Sequence, residues 1–161
     1  MPRLLVVHHS PTASVASLTD AVVAGASDNA IEGVEVLVRP ALEADADDVL
    51  AADGYVLGPP ANFGYMSGAR THFFDTVFRQ AGGTLTDDGS AAASRGGRKP
   101  YALYVHGRYD TTGAVRSVQS IVGALSWQQA APVLEVLGEV GEADRASAYD
   151  LGGTLGALVM G

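Results

Sequence analysis

The 161-residue chain contains no cysteine. Disulfides, thiolate zinc sites and cysteine nucleophiles are thereby excluded, and the composition is compatible with a reducing compartment. Long apolar runs are also missing. No stretch approaches the roughly 20 residues needed to span a bilayer, and the N-terminal MPRLLVVHHS has neither the long apolar region nor the cleavage site of a secretory leader. The chain therefore reads as soluble and cytoplasmic, without membrane insertion. Positive charge is scarce: 10 Lys and Arg stand against 18 Asp and Glu, for a net charge of −8. Such a surface repels phosphate backbones and argues against a nucleic-acid partner. Its simplest consequence is solubility.

Several chemical motifs are absent as well. Without GxxxxGK[ST], no lysine is supplied for the β- and γ-phosphates of ATP or GTP. GxGxxG is missing too, although Arg39, after the second apolar run, sits where an NADP-binding domain would read a 2′-phosphate. There is no GxSxG for a serine hydrolase. A phosphoacceptor domain of the response-regulator type is excluded because its acidic pair is replaced by His8 and His9, and the third apolar run ends in Gly58 and Pro59 rather than aspartate. The four histidines do not group as metal ligands. His8 and His9 would face opposite sides of a strand, His106 ends another strand, and His72 falls in a helical segment.

What is present is one domain's worth of apolar material, 47% of 161 residues. Short runs rich in β-branched or aromatic residues recur at Leu4 to Val7, Val34 to Val38, Tyr55 to Leu57, Tyr101 to Val105 and Val133 to Val136, predicting five strands. Between them lie helical stripes: Val15, Leu18 and Val22; Phe74, Val77 and Phe78; Val118, Ile121, Val122 and Leu125; Ala148, Leu151, Leu155 and Leu158. A shorter helix is expected over residues 45–51. Alternating strands and helices, with strands apolar on both faces, predict a doubly wound parallel α/β sheet with helices on each side. Residues 82–99, GGTLTDDGSAAASRGGRK, read as a flexible connection or insertion within the single domain 1–161. Arg95, Arg98 and Lys99 are expected there in solvent, at the end of the sheet away from any ligand.

In such sheets ligands bind beyond the carboxyl ends of the strands. Three loops qualify: residues 8–14, 58–67 and 106–113. The first carries hydroxyls at Ser10, Thr12, Ser14 and Ser17 around a helix N-terminus. One of them serves as an N-cap on the simplest reading; together with backbone N–H groups and the helix dipole they also suit a terminal phosphate, as on a mononucleotide. The second, GPPANFGYMS, is stiffened by Pro59 and Pro60, turned at Gly64, and offers Phe63 and Tyr65 to a planar heterocycle or, for one of them, to the core. The third, HGRYDTTG, has glycines near both ends. Arg108 there reads either as a solvated side chain or as positive charge beside a ring that becomes anionic on reduction.

GPPANFGYMSGARTHFFD resembles the flavodoxin-like FMN-binding family, specifically its NADPH-dependent FMN reductase and NAD(P)H:quinone oxidoreductase branch of the tryptophan-repressor-binding-protein type. Pro60, Phe63, Gly64, Met66, Ser67 and Gly68 match that branch's pattern, and the resemblance follows the strand order across nearly the whole chain. It implies a five-stranded parallel sheet of order 2-1-3-4-5. It further implies FMN contacts from Pro60, Ala61, Asn62, Phe63 and Gly64, with His106, Gly107, Arg108 and Gly113 at the ring edge. The family's Ser-x-Thr-Gly-Asn-Thr phosphate motif is matched at Ser10 and Thr12, while Ala13, Ser14 and Val15 replace its last three residues and would contribute backbone amides. The implied function is an FMN-dependent oxidoreductase taking electrons from NAD(P)H to a quinone or similar small acceptor, with no residue required as acid, base or nucleophile. A flavodoxin-type electron carrier serving a redox protein, or a related domain that has lost FMN, fits the same residues. The branch also admits a homo-oligomer, since related reductases often complete the flavin pocket between subunits.

Overall fold

The computed structural model describes residues 2–8, 13–40, 43, 46–58, 60–62, 65–66, 99–107, 115–116, 119 and 127–160. In chain order its elements are β1 (Arg3–His8), α1 (Ala13–Ala26), β2 (Glu35–Pro40), α2 (Ala46–Ala51), β3 (Gly54–Gly58), β4 (Pro60–Asn62), β5 (Tyr65–Met66), β6 (Pro100–Gly107), β7 (Gln128–Gln129), β8 (Leu134–Leu137) and α3 (Glu142–Met160). The predicted helical stripes at 74–78 and 118–125, and the segment 82–98, lie outside the described residues apart from Gln119.

Leu4, Leu5, Val6 and Val7 are all fully buried, which is why this run shows no polar alternation. It is the central strand β1, flanked in parallel by β2 and β3, and β6 pairs in parallel with the far edge of β3. β7 and β8 share the outer edge of β6: Gln128 and Gln129 pair with Pro100 and Tyr101, then Leu134–Leu137 with Tyr104–Gly107. Residues 130–133 thus stand opposite only Ala102 and Leu103, and the edge bulges outward. Counted by position, the five parallel strands have the predicted order 2-1-3-4-5. The last strand begins one residue later than expected and has an additional first segment. That segment escaped the sequence reading because its two exposed glutamines carry no apolar alternation.

Side chains alternate between two helical layers. Leu4, Val6, Val56, Ala102 and Tyr104 form one buried cluster with Leu18 and Val22 of α1 and Leu151 and Leu155 of α3. Each fully buried leucine or valine in it contributes about 1.5–3 kcal/mol. Tyr55 points the other way, its ring stacked on Trp127 with centroids 3.9 Å apart and its hydroxyl donating to the Val49 carbonyl of α2 at 2.5 Å.

α1 and α3 touch backbone to backbone. A β-carbon on Gly25 would stand 1.9 Å from the Tyr149 carbonyl oxygen, and one on Gly152 would stand 1.9 Å from that of Val22. The predicted stripes on these helices are buried at Val15, Leu18, Val22, Ala148, Leu151 and Leu155. Leu158 is a correction: it is 51% exposed. Gly152 and Gly156 belong to the buried arc, shifting its centre toward α1 and leaving Leu158 on the flank, where it lines an open depression with Pro2, Asp53, Pro100 and Val159.

Lys99 also departs from expectation. Its Nζ donates to the carbonyls of Ala52 at 2.7 Å and Leu50 at 3.3 Å, satisfying the C-terminal end of α2. Half-burial lowers its pKa, against the opposing pull of the Asp53 carboxylate. Its position at the amino ends of the strands agrees with the sequence reading; its solvation does not.

Candidate functional site

The carboxyl ends of the strands gather the three predicted segments. β1 stops at His8, which pairs with Pro40 and Gly58. α1 begins five residues later at Ala13, and the parallel wind places its N-terminal turn over the same end of the sheet. The first-turn amides of a helix have no carbonyl a turn behind them. That turn, with Ala13, Ser14 and Val15, contains no acidic residue, so no side-chain charge of the turn opposes an anion there.

Residues 58–67 were expected to form a loop, and at Pro60–Asn62 and Tyr65–Met66 the backbone is strand instead. β3 pairs with β6 through Tyr55–Tyr101, Val56–Ala102 and Leu57–Leu103; β4 resumes in the same register through Pro60–His106 and Ala61–Gly107. Thus β4 extends β3 past Pro59. The chain then turns back, Asn62 pairing antiparallel with Tyr65 and Ala61 with Met66. The strand pairing continues because Pro60 lies at a strand start, where the missing N–H is tolerated. Since one edge of β4 faces β6, β5 takes the other edge, in line with the end of β1. The hairpin and the start of α1 therefore share one corner, with His106 and Gly107 flanking β4 opposite.

Of the predicted site residues, Ala13, Ser14, Val15, Pro60, Ala61, Asn62, His106 and Gly107 are placed at this end of the sheet. Ser10, Thr12, Phe63, Gly64, Arg108 and Gly113 lie outside the described residues. His106 is already engaged: its Nε2 lies 2.6 Å from the Gly138 carbonyl. Because a carbonyl only accepts, Nε2 carries the proton, and the ring ties the end of β6 to the turn after β8. Arg39 lies within β2 rather than after it; its Nε is 3.8 Å from the Asp48 carboxylate and its guanidinium donates to the Val38 carbonyl, so it is committed to α2 and its own strand. Among the described residues no three His, Cys, Asp or Glu side chains cluster as metal ligands, and no helix is long and apolar enough to cross a membrane.

No family model matches the chain. Over 94 residues it is 34% identical to a flavodoxin of Aquifex aeolicus (strain VF5), a stretch covering 58% of this chain and 49% of that protein, so the chain spans about half the length of this curated relative. The solved flavodoxin of Streptococcus pneumoniae TIGR4 superposes with a TM-score of 0.74 at 19% identity, over 97% of this chain and 99% of the other. The fold is flavodoxin-like. A WrbA-like flavodoxin from Agrobacterium tumefaciens gives a TM-score of 0.72 at 16% identity, covering 99% and 98% of the two chains.

Residues behind the corner of this flavodoxin-like sheet were missed in the sequence. Gly58, Tyr104 and Thr19 meet there: a β-carbon on Gly58 would lie 1.9 Å from Tyr104 Cζ, and the Tyr104 and Thr19 hydroxyls share a buried 2.6 Å hydrogen bond. The trace in the sequence was a threonine interrupting the apolar stripe of Val15, Leu18 and Val22. Its partner is 85 residues away, and only the fold brings the two together.

Proposed function

We propose that this flavodoxin-like domain binds FMN at the carboxyl ends of its strands and acts in electron transfer. The observation that carries this reading is the convergence of α1's N-terminal turn, the β4–β5 hairpin and the end of β6. The fit is chemical: the α1 turn offers backbone N–H groups and positive dipole with no acidic residue, as a terminal phosphate requires. Ala13, Ser14 and Val15, with the hydroxyls of Ser10 and Thr12, would hold the phosphate. Pro60, Ala61, Asn62, Phe63 and Gly64 would border the ring, with His106, Gly107, Arg108 and Gly113 along its edge. When bound, FMN would supply the redox chemistry between an NAD(P)H donor and a quinone-like molecule or a redox protein. The chain's own part is to bind, orient and shield.

The match at Pro60, Phe63, Gly64, Met66, Ser67 and Gly68 favours the NAD(P)H:quinone reductase reading, and the flavodoxin relative favours a carrier docking a basic partner through its acidic surface. Titration of the purified protein with FMN is expected to give shifted visible bands and quenched flavin fluorescence. Absence of binding at micromolar FMN would leave a domain that has lost its cofactor. Redox titration then separates the readings: two resolved one-electron steps mark a carrier, whereas a two-electron step with NAD(P)H oxidation by a quinone marks a reductase.

A further inference from the structure

We propose that Tyr104 is a positioning residue for the phosphate-binding turn: through its hydroxyl it fixes where α1 stands along the sheet, and Gly58 exists to let it reach. The inference rests on the FMN reading and adds a residue outside every contact named there.

Thr19 is the buried polar residue among the described ones, 5% exposed in a face otherwise made of Val15, Leu18, Val22, Gly25 and Ala26. Apolar contacts of that face are non-directional and fix the axial position of α1 less sharply than a directional bond does. A hydrogen bond fixes it more sharply, because its strength falls steeply with distance and angle. Tyr104 and Thr19 provide that bond at 2.6 Å between two buried side chains. Thr19 follows Ala13 by six residues, so the bond is about 9 Å along the helix from the first turn. The other end of α1 is held by the backbone contacts at Gly25 and Gly152. Two separated anchors set both the tilt and the advance of the helix, and the Tyr104 anchor is the nearer to the site.

Tyr104 can act this way because of its neighbour. The register that pairs Leu57 with Leu103 continues through Pro60 and His106, placing Gly58 opposite Tyr104. Any side chain at 58 on this face would occupy the volume of the phenol, whose Cζ, Oη and Cε1 lie 1.9, 2.2 and 2.4 Å from an added β-carbon. The glycine therefore serves both the strand extension that carries the hairpin and the phenol that crosses it toward α1. One contact thus couples the spacing of two parts of the proposed pocket.

The test compares FMN with riboflavin, which has the same ring and no phosphate, in equilibrium titrations of the wild type, Tyr104→Phe, Thr19→Val and the double variant. Loss of the bond is expected to weaken FMN binding about fivefold in each single variant, to leave riboflavin affinity within about twofold of wild type, and to be no greater in the double variant. Either single variant suffices if the other fails to fold. Equal weakening of both flavins, or FMN binding unchanged in folded Tyr104→Phe and Thr19→Val, overturns the inference alone. A wild-type protein that binds neither flavin overturns the FMN reading and this inference with it.

Discussion

Gly58 lies against the ring of Tyr104 so closely that a single methyl group cannot be added between them. The ring is 1% exposed and its hydroxyl is hydrogen-bonded to Thr19, so it has no open space into which to move. Gly58→Ala is expected to cost about 1–3 kcal/mol, the range for overpacking a filled core. Urea unfolding followed by Trp127 fluorescence would show a lower midpoint with unchanged slope. A midpoint equal to wild type would refute the contact.

The α1–α3 seam predicts opposite outcomes for adjacent glycines. Gly152→Ala must push its methyl against the Val22 carbonyl, backbone that cannot rotate away, and is expected to destabilise by about 1–3 kcal/mol. At Gly153 the added carbon meets the Gly25 carbonyl oxygen at 3.5 Å, an ordinary contact. Gly153→Ala should therefore gain up to about 1 kcal/mol from helix propensity. Thermal denaturation of the pair checks both signs.

Alkaline pH should attack the opposite face. Burial raises the pKa of Tyr55, with the Asp53 charge adding to it, and burial raises that of Tyr101. Their folded-state values exceed the unfolded value of 10.0, so stability is intact below that value and is lost as pH climbs above it. Absorbance at the phenolate band should show these two tyrosines ionising later than an ordinary tyrosine, and Tyr55→Phe and Tyr101→Phe should each shrink the delayed step.

On the acid side, the Tyr149 hydroxyl donates to the Asp28 carboxylate, and the Ala30 N–H donates to it at 2.9 Å. In that order these bonds lower the pKa of Asp28 below its ordinary 3.8. A depressed carboxylate contributes stability above its unfolded value and loses it as pH falls through the folded one. The difference in stability between wild type and Tyr149→Phe should therefore be present near neutrality and shrink below pH 3.8. A difference independent of pH would assign Tyr149 a packing role instead.

The amino-acid order carried the layer plan. Leu4 to Val7, apolar on both faces, predicted a buried strand, and the stripe of Val15, Leu18 and Val22 predicted a helix covering the sheet; both are found. The 2-1-3-4-5 order came with the family resemblance and holds in the sheet. These features were legible because burial imposes its period on consecutive residues. Gln128 and Gln129 were not, since an exposed edge segment imposes none.

At the site, local chemistry identified the carboxyl-end segments, but their shape depended on partners distant in the chain. GPPANFGYM reads as a loop by its prolines and glycines; β6 makes Pro60–Asn62 a strand extension by continuing its ladder at His106 and Gly107. Tyr104 reads as core, and Gly58 and Thr19 as unremarkable positions, until the fold sets the three against one another. Residue type and spacing record which face is buried and where a helix starts. Register across strands, and the clearance a neighbouring ring leaves, arise between segments separated by dozens of residues, and so belong to the tertiary structure alone.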